Sequence, residues 1–317
     1  LISLLQAAPS NLKELGIGIF GDMDGSIGEQ LQQSLFKFSY LEKIHVNYSW
    51  LNYDNSSLMR HIISGISKLS PNIKLYLTIC NDLIPAYSLK RLCESLQNCR
   101  NLCKVEYITK SKPTQTLKKE ADLLRSLFQT LKNIKNLTLD FDPCHLLDVA
   151  DINEILQSCL NNDLRSLKIL MQNIDTVQGM DLMELFKSIP NFRNLEQIKL
   201  AFTFGNEENP NKVRFYYPEV FLTMGKAFAL LGKLSRINLK IKSYYDPGAW
   251  EWDVLLVRFF SMLKGNAYLS ELSIFFLKSL VMMSMRQWKK IYCILSSFPL
   301  LSSFSHNIRI SQEYNFN

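Results

Sequence analysis

The sequence predicts an α/β solenoid of about ten strand–helix units, with a parallel sheet on its concave face and helices on its convex face. Two observations lead there. A short apolar phrase returns about every thirty residues from one end of the chain to the other. Between its copies the apolar spacing changes from alternating to helical. Repetition at a fixed period outranks every other signal, because it decides which residues are equivalent.

The phrase is plainest at Ile134, Leu137, Leu139: apolar, two residues, apolar, one residue, apolar. Taking its second apolar residue as an anchor gives Leu15, Ile44, Leu75, Val105, Leu137, Leu167, Ile198, Ile237, Leu272 and Phe304. The intervals between them are 29, 31, 30, 32, 30, 31, 39, 35 and 32 residues. In nine of the ten copies the anchor and the residue two further on are both apolar, the alternation of a half-buried strand. Two copies are imperfect. Asn72 occupies an apolar position of the third, and His306 an apolar position of the tenth.

A helix is expected after each of the first nine strands. The stretches are 26–38, 56–69, 87–98, 117–131, 151–160, 180–189, 218–231, 250–264 and 284–297. The fourth shows the reason: Leu117, Ala121, Leu124, Phe128 and Leu131 form one stripe at helical spacing. One strand and one helix cannot enclose a core. Stacked neighbours bury the apolar face for one another, so residues 1–317 are expected to form one domain.

This phrase followed by a helix resembles the leucine-rich repeat, and the long period resembles its ribonuclease-inhibitor-like class. The resemblance covers nearly the whole chain and implies a horseshoe. The family pattern places Asn or Cys five residues after the anchor. This chain has Cys80, Asp142, Gln172 and Thr203 there in four copies, and Phe20, Lys110, Lys242 and Leu277 in others. The motif speaks for a fold and carries no activity with it.

Composition narrows the classes. Apolar residues make up 47% of the 317, ordinary for a folded chain. The greasiest stretches, 254–263 and 272–285, are interrupted by Arg258 and Lys278, and fall short of the ~20 residues a membrane helix needs. A net charge of +7 on an extended surface leans mildly toward acidic partners. Seven cysteines without paired spacing point to a reducing, intracellular and cytoplasmic setting. Cys93, Cys99 and Cys103 cluster, but their gaps are not those of a zinc site. Neither end carries a polar cap, so the chain is expected to be a segment of a longer protein or to have an end covered by a partner.

No catalytic constellation emerges. Cys144 and His145 are sequence neighbours with no third orienting group. The glycines at 16, 18, 21 and 25 match no phosphate loop and read as strand and turn positions. Asp22, Asp24 and Glu29 lack calcium-loop spacing. The expectation is therefore a non-enzymatic chain with no cofactor, no metal and no small-molecule ligand.

Two surfaces stand out for partners. Residues at −1, +1 and +3 from each anchor should face solvent on the concave side. They include Lys43, Lys74, Lys104, Lys168, Lys199, Arg236 and Lys240 against Glu14, Glu106, Asp140 and Glu271. Lys43, Lys74 and Lys104 are expected to stack as a basic row, one per strand. The second surface is the edge where two units are longest. There Phe215, Tyr216, Tyr217, Tyr244, Tyr245, Trp250 and Trp252 would collect, residue types that anchor interfaces. The expected function is a protein–protein interaction scaffold, a subunit of a larger assembly, with nucleic acid disfavoured by sparse aromatics. The alternative is a regulatory module: GTPase-activator-like, kinase-linked, or a ubiquitin-ligase adaptor.

Overall fold

The computed structural model describes Leu5, Cys99 and residues 7–20, 29–30, 33–49, 56–68, 72–81, 86–96, 102–109, 117–131, 133–141, 149–160, 163–174, 176–204, 217–243, 249–277 and 282–311. The chain divides into two units, Leu1–Leu147 with Glu154–Leu164, and Asp148–Asn153 with Arg165–Asn317.

The first unit holds β1 (Glu14–Phe20), β2 (Lys43–Ser49), α1 (Ser56–Ser67), β3 (Lys74–Asn81), α2 (Ala86–Leu96), β4 (Leu102–Thr109), α3 (Leu117–Thr130) and β5 (Asn136–Phe141). The residues of α4 (Val149–Ser158) fall partly in each unit. The strands lie in chain order, each parallel to the next. Alternation does what the sequence requires of it. In β1, Leu15, Ile17 and Ile19 are buried while Glu14, Gly16 and Gly18 are exposed. Helices meet that apolar side with a single stripe. In α1 it is Met59, Ile62, Ile63 and Ile66, all buried, at the spacing that puts them on one face.

The second unit holds β6 (Ser166–Ile174), α5 (Thr176–Ser188), a 3₁₀ turn at Ile189–Asn191, β7 (Gln197–Phe204), α6 (Tyr217–Ala229), β8 (Arg236–Ser243), α7 (Ala249–Leu263), β9 (Glu271–Leu277), β10 (Met282–Ser284), α8 (Met285–Leu295), β11 (Ser303–His306) and β12 (Arg309–Ser311). Strands β6, β7, β8, β9 and β11 are again parallel neighbours in chain order. Its core is strongly aromatic. Phe186, Phe228, Phe259 and Phe260 are fully buried and touch in sequence, ring centroids 5.8–6.5 Å apart, mostly edge to face. Phe304 continues the series at 5.8 Å from Phe260, with Trp288 beyond it. Gly225 lets α6 approach α7, since a Cβ there would lie 3.0 Å from the Phe259 ring.

Successive units are tied in two ways. At Lys13, Arg165, Glu196, Ser235 and Ser270 the carbonyl two residues before the anchor accepts from two backbone N–H groups of the next copy, Glu196 from Ser235 and Arg236 at 2.8 and 3.1 Å. In the second unit a serine hydroxyl doubles this link. Ser235, Ser270 and Ser302 each donate their hydroxyl to the preceding copy, to Glu196, Ser235 and Ser270 oxygens at 3.0, 3.1 and 3.0 Å.

Register tests the repeat most directly. Within the two units eight pairs of successive anchors exist, and seven face each other residue for residue: Leu15 with Ile44, Ile44 with Leu75, Val105 with Leu137, Leu167 with Ile198, Ile198 with Ile237, Ile237 with Leu272, and Leu272 with Phe304. The exception is the imperfect third copy. Leu75 faces Leu102, whereas Val105 faces Leu77, with Cys103 as the extra residue of a bulge. A bulge shifts everything beyond it along the partner strand.

The helical stretches expected from the sequence are present wherever they are described. Residues 29–30 and 33–35 are helical within the expected 26–38. The sequence did not suggest β10 and β12, which pair as a small separate parallel ladder, Met283 opposite Ile310. Ser284 closes that ladder and also caps α8, its hydroxyl accepting from the Gln287 N–H. Asn307 ends β11 in an equally economical way. Its amide accepts from Phe276 N–H at 2.8 Å and donates to Phe276 O at 2.6 Å, standing in for the strand where the backbone leaves.

Candidate functional site

Strands in register hold their outward side chains in columns, so each unit presents one stiff polar face. On the first unit's face, cations meet carboxylates. Lys43, opposite Lys74 in register, pairs with Glu14. That hydrogen bond and charge hold the Glu14 carboxyl below its ordinary pKa and lift the Lys43 ammonium above its own. Lys104 pairs with Glu106 at 2.8 Å, and Thr78 donates to the same carboxylate at 3.0 Å. Beside them His45 lies edge-on to Tyr76, ring centroids 4.8 Å apart.

The expected row of Lys43, Lys74 and Lys104 is therefore corrected. Lys43 and Lys74 do stand side by side, but Lys104 faces Tyr76, two residues further along β3. Beyond the bulge β4 pairs with β3 two residues off the anchors, and that offset sets Lys104 opposite Tyr76. Lys104 reaches the Tyr76 ring instead, its Nζ 6.0 Å from the centroid.

The second unit's face is arranged otherwise. Lys168 stands opposite Lys199, and Lys240 lies on the next strand opposite Ala201, two residues beyond Lys199 on the same face. None of the three meets a carboxylate among the described residues. Burial, with the charges of Lys168 and Lys240, pushes the Lys199 ammonium below its ordinary pKa. Asn238 faces Lys199 across the strands, and its buried Oδ1 has no hydrogen-bond partner. The one acid of this face, Glu271, is held by Arg236 at 3.1 Å. Sequence columns contained all these lysines; what they lacked was which charges meet.

The aromatic edge lies mostly out of view. Phe215, Tyr216, Tyr244 and Tyr245 lie outside the described residues, Tyr217 opens α6, and Trp250 is in the first turn of α7. Between α3 and α4 a groove of about 510 Å³ is lined by Arg125, Gln129, Glu154, Gln157 and Ser158. Arg125 is already bound on both sides there, to Asp122 and Glu154.

Two buried thiols are held protonated. Burial pushes Cys93 up to about 12 and drives Cys159 higher still, and their S–H groups point at the Leu123 and Ile155 carbonyls. A protonated thiol is neither nucleophile nor metal ligand. Among the described residues no three His, Cys, Asp or Glu side chains gather as a metal site, and no helix is long and apolar enough to cross a membrane.

No protein-family profile and no curated protein sequence matches the chain. Among solved structures it is similar to a tropomodulin C-terminal domain from Caenorhabditis elegans. Identity there is 15% and the TM-score 0.32, over 66% of this chain and 92% of that one. It is also similar to an aldolase, at 11% identity and TM-score 0.24 over 73% of this chain and 90% of that one. A third is L-talarate dehydratase from Polaromonas, at 10% identity and TM-score 0.26 over 97% and 56%. At these scores none transfers a function. They do correct one expectation: with enzymes among its structural neighbours, this chain is not to be classed as a non-enzyme.

Proposed function

We propose that the chain is a protein–protein interaction scaffold built as a leucine-rich-repeat solenoid of the ribonuclease-inhibitor-like kind, serving as a subunit of a larger assembly. The observation that supports it is register. Seven of eight successive anchors face each other within the units, so solvent-facing residues stand in columns on a hydrogen-bonded sheet. Such a surface loses little conformational freedom on binding, which is where preorganised binders gain. Lys43, Lys74 and Lys104 on one face, and Phe215, Tyr216, Tyr217, Tyr244, Tyr245 and Trp250 along the long-unit edge, are the proposed contact residues.

The test is affinity capture with quantitative mass spectrometry. Replacing Tyr244, Tyr245 and Trp250 together with Ser should leave the circular dichroism and melting temperature unchanged and reduce recovery of the principal partner at least tenfold. Equal recovery by the variant would remove the aromatic edge from the contact. Failure of the unaltered protein to retain any partner would remove the scaffold reading itself.

A further inference from the structure

The face of the second unit leaves positive charge unmatched, and this is unusual for side chains held so close. Adjacent strands run about 4.8 Å apart and same-face residues on one strand about 6.7 Å apart. Lys168 and Lys199 therefore stand about 5 Å apart, Lys240 about 8 Å from Lys199 and about 12 Å from Lys168, without a counterion among the described residues. Several other cations along the strands are paired with carboxylates. Lys43 has Glu14, Lys104 has Glu106, Arg165 has Glu196 and Arg236 has Glu271. Like charges side by side cost free energy in the isolated protein, and a bound anion removes that cost.

From this we infer that the exposed strand face of the second unit recognises an extended acidic peptide segment, with Lys168, Lys199 and Lys240 each taking a carboxylate. The inference rests on the scaffold reading and specifies the chemistry of one partner.

Spacing favours a peptide over other anions. In an extended chain alternate side chains point the same way about 6.7 Å apart. That interval falls between the two lysine separations of about 5 and about 8 Å, a difference that long lysine side chains take up. A single phosphate would engage at most two of them. Nucleic acid is disfavoured because base stacking needs a row of aromatic side chains. The row beside the lysines instead reads Leu170, Ala201 and, opposite Lys240, Phe275. Two aliphatic groups and a single ring there suit the backbone and apolar side chains of a peptide.

The test uses the intact protein and a fluorescein-labelled (Glu-Ser)6 peptide, read by anisotropy at 50 and 300 mM salt. Comparators are (Gln-Ser)6 and a ten-nucleotide oligothymidine. Expected at low salt is at least tenfold tighter binding of the Glu peptide than of the Gln peptide, weakening at least fivefold at the higher salt. The K168Q/K199Q/K240Q variant should lose at least fivefold. A charge-matched K264Q/K289Q/K290Q variant, altered at exposed lysines off this face, should stay within twofold. Circular dichroism checks folding, and the single variant K240Q, at the most exposed of the three, should still lose about twofold. No preference for the Glu peptide, equal loss in both triple variants, or tighter binding of the oligothymidine would each overturn the inference. Capture of the principal partner separates this from the scaffold reading: if K168Q/K199Q/K240Q retains it undiminished, the scaffold stands and the acidic-segment inference falls.

Discussion

Lys43 in the first unit and Lys199 in the second are the same residue, on outward strand positions, one residue either side of their anchors. Their ammonium groups are pushed in opposite directions, Lys43 up by Glu14 and Lys199 down by burial and by Lys168 and Lys240. Lys43 and Lys104 have carboxylate partners, whereas Lys168, Lys199 and Lys240 have none among the described residues. The cores differ as well. Ile and Leu dominate the first, whereas in the second buried rings follow one another from Phe186 to Phe260 and the half-buried Phe304 and Trp288 continue them. A common repeat thus fixes where side chains stand without fixing what they stand against.

The largest expected effect tests the difference between cores. Phe259 contacts Phe221, Phe228 and Phe260 and is fully buried. Phe259→Ala should lower unfolding free energy by about 3–5 kcal/mol, from lost transfer energy and the cavity left behind. Urea unfolding measures it. A loss under ~1 kcal/mol would mean that the ring series does not hold the second unit together.

A smaller effect tests the links between units of the repeat. Ser270→Ala removes a hydroxyl bond to Ser235 O but leaves the backbone bonds to the same carbonyl. The expected cost is about 0.5–1.5 kcal/mol, that of one neutral hydrogen bond. Changes at Ser235 and Ser302 should add to it in the same range. Three neutral substitutions would reduce the serine ladder to decoration.

The smallest effects, in titration, bear on the two faces themselves. Glu14→Gln should bring the Lys43 pKa back down, and Lys240→Gln should let that of Lys199 rise; lysine side-chain NMR reads both. The signs for stability also oppose. Lys43, raised on folding, contributes stability that is present below the ordinary lysine pKa and is lost as pH climbs through its folded value. Lys199, lowered on folding, sheds its proton earlier in the folded state than in the unfolded one. Its unfavourable contribution is present at neutral pH and is relieved as pH rises from its folded value toward the ordinary one. Shifts of the same sign at the two lysines would erase the contrast.

Much of the fold was legible because its signals are local. Alternation at Leu15, Ile17 and Ile19 needs only that one face of a strand be buried. The stripe of Met59, Ile62, Ile63 and Ile66 needs only 3.6 residues per turn. The ladder of Ser235, Ser270 and Ser302 was legible too, had the aligned columns been extended to two residues before the anchor. Asn72 in the third phrase marked the place where the pattern fails, and the bulge lies beside it. The candidate faces were less readable. Charge counts across the columns gave a mild positive surplus but not its location.

The sequence by itself determined the period, the strand and helix of each described repeat, and which side of each is apolar, because those follow from the geometry of single elements. Packing between strands is what takes Lys104 out of the row of Lys43 and Lys74 and gathers Lys168, Lys199 and Lys240 with no acid opposite among the described residues. Ion pairing depends on separations of a few ångströms between strands far apart in the chain. A two-residue offset between β3 and β4 changes them without disturbing the pattern from which the repeat is read.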